Sequence, residues 1–329
     1  MHAWLCETLD GPQSLHWREL PTPEPGPDEV VIAIHAASLN FPDLLIVQGK
    51  YQMRPELPFA PGAEFAGVIE SVGSAVSHLR PGMPVAALAG SGGFATHARV
   101  KALQVMPLPP GFALRDAAAF AFTYGTSHHA LIDRAALQAG ETVLVLGAAG
   151  GVGTAAVQIA KAAGATVIAA ASTDAKCALC REIGADHAIN YATTDLRDTL
   201  KALTRGRGVD VVYDPVGGAF AEPAFRSIAW RGRYLVIGFA DGQIPALPWN
   251  LPLLKGASVV GVFWGDFVRR EPEANARMLG TLASQYARGQ IKPVIDTVLP
   301  LSHLAEAYQR LQDRAILGKI VMVPDHVSG

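Results

Sequence analysis

The chain has 329 residues, of which 50% are hydrophobic and 17% are charged, and its formal net charge at pH 7 is -2. This composition is typical of a globular protein with about two domains and excludes an intrinsically disordered chain. The small net charge and the absence of a basic block argue against nucleic acid or an anionic membrane surface as a partner. A small neutral or anionic ligand is expected instead.

The N-terminal sequence MHAWLCETLDGPQ lacks the charged segment and apolar segment of a secretory signal peptide. The three cysteines cannot form a disulfide framework and are typical of a reducing compartment. Cys177 and Cys180 lie one helical turn apart and are interpreted as small packing residues. A cytoplasmic location is therefore expected.

The part of the chain before residue 122 predicts short strands separated by turns that contain proline and glycine. This pattern favours an irregular β-barrel or sandwich. The predicted strands are HAWLCET, SLHWREL, EVVIAIHAAS, AEFAGVIESVG and FATHARVK.

From residue 123 onward, apolar strands alternate with helical segments, which predicts a doubly wound parallel sheet. The predicted strands are TVLVLG, TVIAAA, HAIN, VDVVYD, YLVIGF and SVVGVF. Two amphipathic helices, EANARMLGTLASQYARG and SHLAEAYQRLQD, and the strand GKIVMV follow. Residues 142–160 are uncharged and long enough to span a membrane. Four glycines and a change from β-branched to alanine-rich composition favour a buried strand that turns into a helix, so no membrane insertion is expected.

The sequence GAAGGVG stands between the strand TVLVL and the helical segment TAAVQIAKAAG. In a strand-turn-helix unit, glycines permit a tight turn, the approach of a pyrophosphate to the backbone and close packing of the helix on the sheet. The first N–H groups of a helix that begins near Gly151 also attract anionic phosphates. The predicted dinucleotide-binding residues are Gly147, Ala148, Gly150, Gly151, Val152 and Gly153.

The next predicted strand ends without the Asp or Glu that binds the ribose 2′-hydroxyl in NAD-binding folds. A charge-assisted bond from Lys176 to a 2′-phosphate contributes about 1.5–3 kcal/mol, a roughly ten- to hundred-fold preference for NADPH. Asp174 either caps the following helix or weakens this preference by turning toward the ribose. The predicted residues around the 2′-phosphate are Ser172, Thr173, Lys176 and Tyr191.

Five segments stand in the order expected of a known family: LNFPDLLIVQGKY, LPFAPGAEFAGVIESVG, GAAGGVG, VDVVYDPVGG and GVFWG. With the β-rich N-terminal part, the nucleotide fold and a return segment, they resemble the medium-chain dehydrogenase/reductase superfamily. Within it, the chain resembles the zinc-free NADPH:quinone oxidoreductases of the zeta-crystallin-like group over nearly its whole length. The resemblance implies an α/β protein with a GroES-like β-barrel catalytic domain, residues 1–122 and 264–329, and a Rossmann domain, residues 123–263.

Two positions indicate that the chain lacks ligands for a catalytic zinc. Zinc alcohol dehydrogenases have a Cys where this chain has Asn40 and a His where it has Ala63. Asn and Ala cannot replace a thiolate and an imidazole as zinc ligands. The four-cysteine lobe that binds structural zinc is also missing, because only a short segment separates the strand at Pro84 from Phe94. The adjacent histidines at 128 and 129 point in different directions on a helix. No bound metal is therefore expected.

In enzymes of this group, NADPH gives a hydride to a quinone or an electron-poor alkene, while the protein aligns the reactants and excludes water. The resemblance places Asn40 and Asp43 beside the nicotinamide and its ribose. It makes Tyr51 an active-site residue that gives a proton or hydrogen bond to the reduced oxygen. Asp43 as a helix cap and Tyr51 as an amphipathic rim residue stay open as alternatives. Leu45 stands where bacterial members often have a second tyrosine, so a more apolar pocket is expected.

By the same analogy, further residues at strand ends and helix starts are expected to line the nicotinamide. They are Thr126, Val216, Gly217, Gly238, Phe239, Phe263 and Trp264. Phe263 and Trp264 are equally compatible with a place in the core or in an interface.

Two other functions stay open. Mitochondrial enoyl-thioester reductases also have the N-x-x-D and Q-G-x-Y elements and use the tyrosine as proton donor, which fits Gln48, Gly49 and Tyr51. A non-catalytic NADPH-binding protein with a structural or sensing role is the third hypothesis. The last predicted strand, SVVGVF, leaves a bare apolar sheet edge, which favours a two-fold homodimer through residues 258–263.

Overall fold

The computed structural model describes residues 1–325, which divide into two compact units. One unit consists of residues 1–122 and 293–325, and the other of Thr123–Lys292. The chain thus returns to the first unit at Pro293, whereas the sequence predicts a return at residue 264. Residues 326–329, also assigned to the catalytic domain, lie outside the described residues.

The strands are numbered in chain order. They are β1 His2–Cys6, β2 Leu15–Glu19, β3 Glu29–Leu39, β4 Glu64–Val72, β5 Pro84–Leu88, β6 His97–Lys101, β7 Val105–Pro107, β8 Thr142–Leu146, β9 Thr166–Ala171, β10 His187–Asn190, β11 Val209–Asp214, β12 Ile228–Val236, β13 Ser258–Gly261, β14 Ile295–Pro300 and β15 Lys319–Val323.

The α-helices are numbered in the same way. They are α1 Phe41–Val47, α2 Leu114–Ala117, α3 Ala121–His128, α4 Gly151–Ala162, α5 Asp174–Glu182, α6 Leu196–Leu203, α7 Ala221–Arg226, α8 Asn250–Lys255, α9 Trp264–Arg270, α10 Pro272–Ala287 and α11 Leu304–Gln312. Directly after α3, residues His129–Arg134 form a short π-helix.

The first unit contains a seven-stranded sheet in the order β14-β15-β3-β4-β5-β7, and β6 pairs with β3 as well. β15 runs antiparallel to β3, so that Ile320 lies opposite Leu39. Every side chain of β15 is buried, which its apolar sequence after Lys319 explains. β7 and β14 are not predicted from the sequence, because both end in proline, which breaks the strand pattern.

The second unit contains a six-stranded parallel sheet in the order β10-β9-β8-β11-β12-β13. This is the doubly wound order in which the chain reverses direction between β8 and β11, so the predicted Rossmann sheet is confirmed. β8 is buried at every position, as its predicted sequence TVLVL requires. Ligands of such sheets bind at the carboxyl ends of the strands beside the reversal.

The segment 264–292 lies in the second unit because its helices pack there. Trp264 lies against Gly125, and the ring of Phe267 stacks on that of His129 with a centroid distance of 4.2 Å. Within residues 1–325, no helix combines the length and the hydrophobicity needed to cross a bilayer. The uncharged run 142–160 forms β8, the glycine turn and most of α4, as predicted.

Candidate functional site

The glycine turn joins β8 to α4 at the reversal point of the parallel sheet. Gly147 has φ +58°, and a Cβ atom on it would lie 2.8 Å from Cγ2 of Val216. The N–H of Gly150 donates to the carbonyl of Gly147 at 3.0 Å and closes the turn. α4 begins at Gly151, as predicted, so the free N–H groups of its first turn face the carboxyl end of β8.

Gly153 sets the distance between α4 and this turn. A Cβ atom at this position would lie 2.3 Å from the carbonyl oxygen of Gly147 and 2.7 Å from Cα of Ala148. Both contacts are with backbone atoms, which cannot swing aside as the end of a flexible side chain can. The helix therefore packs on the turn at a distance that only glycine permits, and this arrangement fits a pyrophosphate on the helix N-terminus.

Two polar residues that were not predicted from the sequence fix the first turn of α4. Ser127 on α3 donates from Oγ to the carbonyl of Val152 at 3.0 Å, and its Oγ lies 2.9 Å from the hydroxyl of Tyr213 on β11. Complete burial raises the pKa of Tyr213 well above its ordinary value, so the hydroxyl stays protonated. The three elements are thus joined by hydrogen bonds between groups far apart in sequence.

Ser172 and Lys176 come together at the end of β9. The Nζ of Lys176 donates to Oγ of Ser172 at 3.3 Å. Thr173 is the N-cap of α5, and its Oγ1 accepts the N–H of Lys176 at 3.2 Å. An ammonium group and hydroxyl groups at a helix N-terminus form a surface that suits a phosphate.

Asp174 does not cap α5, since Thr173 has that position. Its Oδ1 accepts a hydrogen bond from Nδ2 of Asn190 at 2.8 Å, which turns it toward the end of β10. The next residue after β10, Tyr191, packs its ring on Phe220 with a centroid distance of 4.3 Å. Phe220 was not predicted, because only the fold brings its short helical turn beside the end of β10.

A second turn, after β11, carries two of the residues predicted for the nicotinamide. The Oδ1 of Asp214 accepts the N–H groups of Val216 and Gly217, each at 2.8 Å, and its Oδ2 accepts the hydroxyl of Tyr234. Burial raises the pKa of Asp214, against the effect of these three hydrogen bonds. The buried carboxyl therefore fixes the backbone of this turn, in which Gly217 has φ +69°.

The segment after β12 lies against this turn. The N–H of Ala240 donates to the carbonyl of Pro215 at 3.0 Å. A Cβ atom on Gly217 would lie 3.0 Å from Cδ1 of Phe239, so these two residues are neighbours. The structure thus brings Val216, Gly217, Gly238 and Phe239 together at one end of the sheet.

The remaining residues predicted for the nicotinamide have different surroundings. Trp264 is 4% exposed and lies so close to Gly125 that a Cβ atom there would be 2.4 Å from its ring. It is thus a core residue, and Thr126, which follows Gly125 in the chain, is buried as well. Phe263 is 57% exposed and available for a ligand or an interface.

In the first unit, Asn40 and Asp43 belong to a buried polar network. Asp43 accepts the N–H of Asn40 at 2.8 Å and that of Ala63 at 2.9 Å. Asn40 is the N-cap of α1, and Asp43 stands in its first turn. Within the first unit, Asp43 thus makes the contacts of a helix cap, which was the alternative interpretation of this residue. Its hydrogen bond with the N–H of Ala63 also joins α1 to the residue before β4.

Glu64 and Lys319 complete this network and were not predicted. Both are buried, and Nζ of Lys319 lies 3.9 Å from Oε2 of Glu64. Burial lowers the pKa of Lys319 and raises the pKa of Glu64, while the opposite charge of each partner counteracts the shift. The signal for Lys319 was a single charge at the start of an otherwise apolar strand sequence, which is rarely buried unless the charge has a partner.

Tyr51 follows α1 and packs, half-buried, against the hydrophobic core of the first unit. Burial and the nearby charge of Asp43 raise the pKa of its hydroxyl. The phenol therefore carries its proton at neutral pH, as a hydrogen-bond or proton donor requires.

The residues at the positions of the two zinc ligands of alcohol dehydrogenases do not suit a metal ion. Oδ1 of Asn40 accepts a hydrogen bond from the ammonium group of Lys319, and Ala63 has no donor atom in its side chain. A lysine cation in contact with Asn40 would repel a metal ion. In the described part of the chain, no three His, Cys, Asp or Glu side chains are arranged to hold one.

The comparisons with known proteins agree with this architecture. Residues 26–110 match the model of the alcohol dehydrogenase GroES-like domain, and residues 151–284 match that of the zinc-binding dehydrogenase family. Quinone oxidoreductase-like protein 2 of Bos taurus is 38% identical over 322 residues, which cover 97% of this chain and 91% of that protein.

Two solved structures extend the comparison. The quinone oxidoreductase of Thermus thermophilus, also solved with NADPH, is 37% identical with a TM-score of 0.85, covering 98% of this chain and 100% of that one. The Escherichia coli quinone oxidoreductase in complex with NADPH is 29% identical with a TM-score of 0.91 and the same coverage. The predicted fold class and family are confirmed. This chain belongs to the medium-chain dehydrogenase/reductase superfamily and, within it, to the quinone oxidoreductase group of oxidoreductases.

Proposed function

We propose that this chain binds NADPH and transfers a hydride from it to a quinone or a similar electron-poor acceptor, without zinc. The observation that carries the proposal is the arrangement of Ser172 and Lys176 at the end of β9, next to a glycine turn of the kind that binds a pyrophosphate. The solved relatives that contain NADPH support the choice of cofactor.

The residues of the second unit bind and orient the cofactor. The N-terminus of α4 neutralises the diphosphate, and Lys176 and Ser172 select the 2′-phosphate. The turn fixed by Asp214 presents Val216 and Gly217 to the nicotinamide. When bound, NADPH supplies the hydride.

The first unit supplies Asn40, Asp43 and Tyr51. Tyr51 holds a proton at its hydroxyl and gives it, or a hydrogen bond, to the reduced acceptor. An acceptor without an activating metal must take a hydride readily, and quinones do so. The absence of zinc is supported by the contact between Lys319 and Asn40.

An acceptor screen tests the proposal. NADPH oxidation is followed with 1,4-benzoquinone and with a crotonyl thioester, in the wild type and in Tyr51→Phe. We expect faster turnover with the quinone. Faster turnover with the thioester, lost in Tyr51→Phe, would instead identify an enoyl-thioester reductase, which the protonated Tyr51 also suits. NADPH binding without turnover on any acceptor would favour the non-catalytic hypothesis.

The replacement Lys176→Met is expected to weaken NADPH binding roughly ten- to hundred-fold and to leave NADH binding unchanged, because only NADPH has the 2′-phosphate. Isothermal calorimetry with both cofactors measures the two affinities. Lys161→Met is the control, since Lys161 lies on a different helix and is paired with Asp186 at 2.6 Å. Equal weakening of both cofactors by Lys176→Met would show that Lys176 does not bind the phosphate.

The protein is expected to be a homodimer in the cytoplasm, joined through residues 258–263. Exposed large apolar side chains in the segment that precedes this edge strand support the dimer: Trp249 is 81% exposed and Leu253 is 79% exposed. Light scattering is expected to give the mass of two chains for the wild type and of one chain for the double variant Trp249→Ser/Leu253→Ser. A wild-type mass of one chain would rule the dimer out.

A further inference from the structure

The buried network of the first unit contains a lysine that the mechanism above does not use. Lys319, the first residue of β15, is 4% exposed. Its Nζ donates to the carbonyl of Leu39 at 3.0 Å and to Oδ1 of Asn40. The ammonium group thus binds the end of β3 and the first residue before α1 at the same time.

Glu64 accepts a hydrogen bond from the nitrogen of the same Asn40 amide, Nδ2, whose distance to Oε2 is 3.4 Å. Oε2 also accepts a hydrogen bond from the hydroxyl of Ser38 at 2.9 Å, and Oε1 accepts one from the N–H of Phe122 at 2.8 Å. An ammonium group only donates hydrogen bonds and a carboxylate only accepts them. The amide of Asn40 can therefore adopt only one of its two flipped orientations.

This network is a poor device for stability alone. A buried ion pair seldom stabilises a protein more than apolar side chains of similar size do, because desolvation costs as much as the attraction returns. The rest of β15 is apolar, and an apolar residue at position 319 would continue it. What the charged pair adds is a fixed orientation of Asn40, and with it of the turn that Asp43 closes.

We propose that Lys319 and Glu64 are positioning residues of the reaction, which hold the Asn40 amide and the Asn40–Asp43 turn in the orientation that hydride transfer requires. The inference rests on the proposed function, because that function places this turn at the reacting atoms. Lys319 and Glu64 act through Asn40 and need no contact with NADPH or the acceptor.

Two variants separate positioning from stability. Lys319→Met removes the donor and keeps most of the side-chain volume, but it leaves Glu64 buried without its cation. The double variant Lys319→Met/Glu64→Gln removes both charges. For each variant, kcat and KM for 1,4-benzoquinone, the Kd for NADPH and the unfolding free energy in urea are measured.

We expect kcat of Lys319→Met to fall by about 30-fold, with KM and the Kd for NADPH within about threefold of the wild type, because orientation is lost and binding is not. The double variant is expected to regain stability relative to Lys319→Met while its kcat stays low. Lys255→Met, which removes a lysine that donates to the carbonyl of Ile228 at 3.0 Å, is the control with unchanged kcat.

A double variant that regains kcat together with stability would overturn the inference, since the network would then only hold the fold. If Lys319→Met does not fold, the kcat of the double variant alone decides. A low kcat in a stable double variant supports the inference, and a wild-type kcat overturns it. A wild type without turnover on any acceptor would overturn the proposed function, and this inference with it. Turnover in the wild type and undiminished turnover in the variants would overturn this inference alone.

Discussion

The replacement Gly153→Ala is expected to lower the unfolding free energy by several kcal/mol and to weaken NADPH binding by more than about 100-fold. The new methyl group would lie 2.3 Å from the carbonyl oxygen of Gly147 and 2.7 Å from Cα of Ala148. The start of α4 must then move away from the turn, and the N–H groups that receive the pyrophosphate move with it. Urea denaturation and calorimetry with NADPH measure the two effects.

Gly280→Ala is the matched control for this prediction. Gly280 lies within α10, and a Cβ atom there has no neighbour within 4 Å. The change is expected to stabilise the protein by about 0.5–1 kcal/mol, because alanine favours a helix over the unfolded chain. Unaltered NADPH affinity in Gly153→Ala would contradict the assignment of this turn to the pyrophosphate.

The ionisation of Asp43 is expected to lower the free energy of unfolding by about 3 kcal/mol as the pH rises from about 4 to about 7. Burial is the largest cause, and it raises the pKa from 3.8 to about 6, although Lys319 and the N–H groups of Asn40 and Ala63 act in the opposite direction. The folded protein therefore holds this proton more tightly than the unfolded chain does. The resulting stabilisation is complete below the unfolded pKa of 3.8 and is lost as the pH rises through the folded pKa of about 6.

The measurement compares the wild type with Asp43→Asn in urea over this range of pH. The wild type should lose stability relative to the variant as the pH rises. Asp266→Asn is a control of opposite sign, because hydrogen bonds from Arg270 and Arg269 lower the pKa of Asp266. Parallel stability curves for the wild type and Asp43→Asn would show that Asp43 keeps its ordinary pKa in the folded protein.

The sequence predicted the alternation of strands and helices and the glycine turn after β8, because each of these patterns is contained within a short segment. The hydroxyl residues and Lys176 after β9 also lie close together in the structure, and their part in binding a phosphate stays a prediction. Thr173 rather than Asp174 caps α5, because Asn190, on a different strand, binds the carboxylate of Asp174.

The parts that depend on distant pairing were not predicted. Ser127 and Tyr213 meet only because α3 packs beside α4 and β11. Lys319 and Asn40 are 279 residues apart, and nothing near either residue indicates the other. The sequence left the nicotinamide site, the core and an interface open for Trp264, and only the packed structure shows its ring against Gly125.

The pairing of β15 with β3 has a consequence for how the protein is made. All strands of the parallel sheet lie within residues 123–292, so this unit has every partner it needs before β14 and β15 leave the ribosome. Until then the end of β3 at Ala37–Leu39 lacks its partner on this edge, because β6 pairs with the edge only at Glu29–Ala33. We therefore expect the inserted unit to fold during synthesis, and the surrounding unit to complete its sheet only after its last strand arrives.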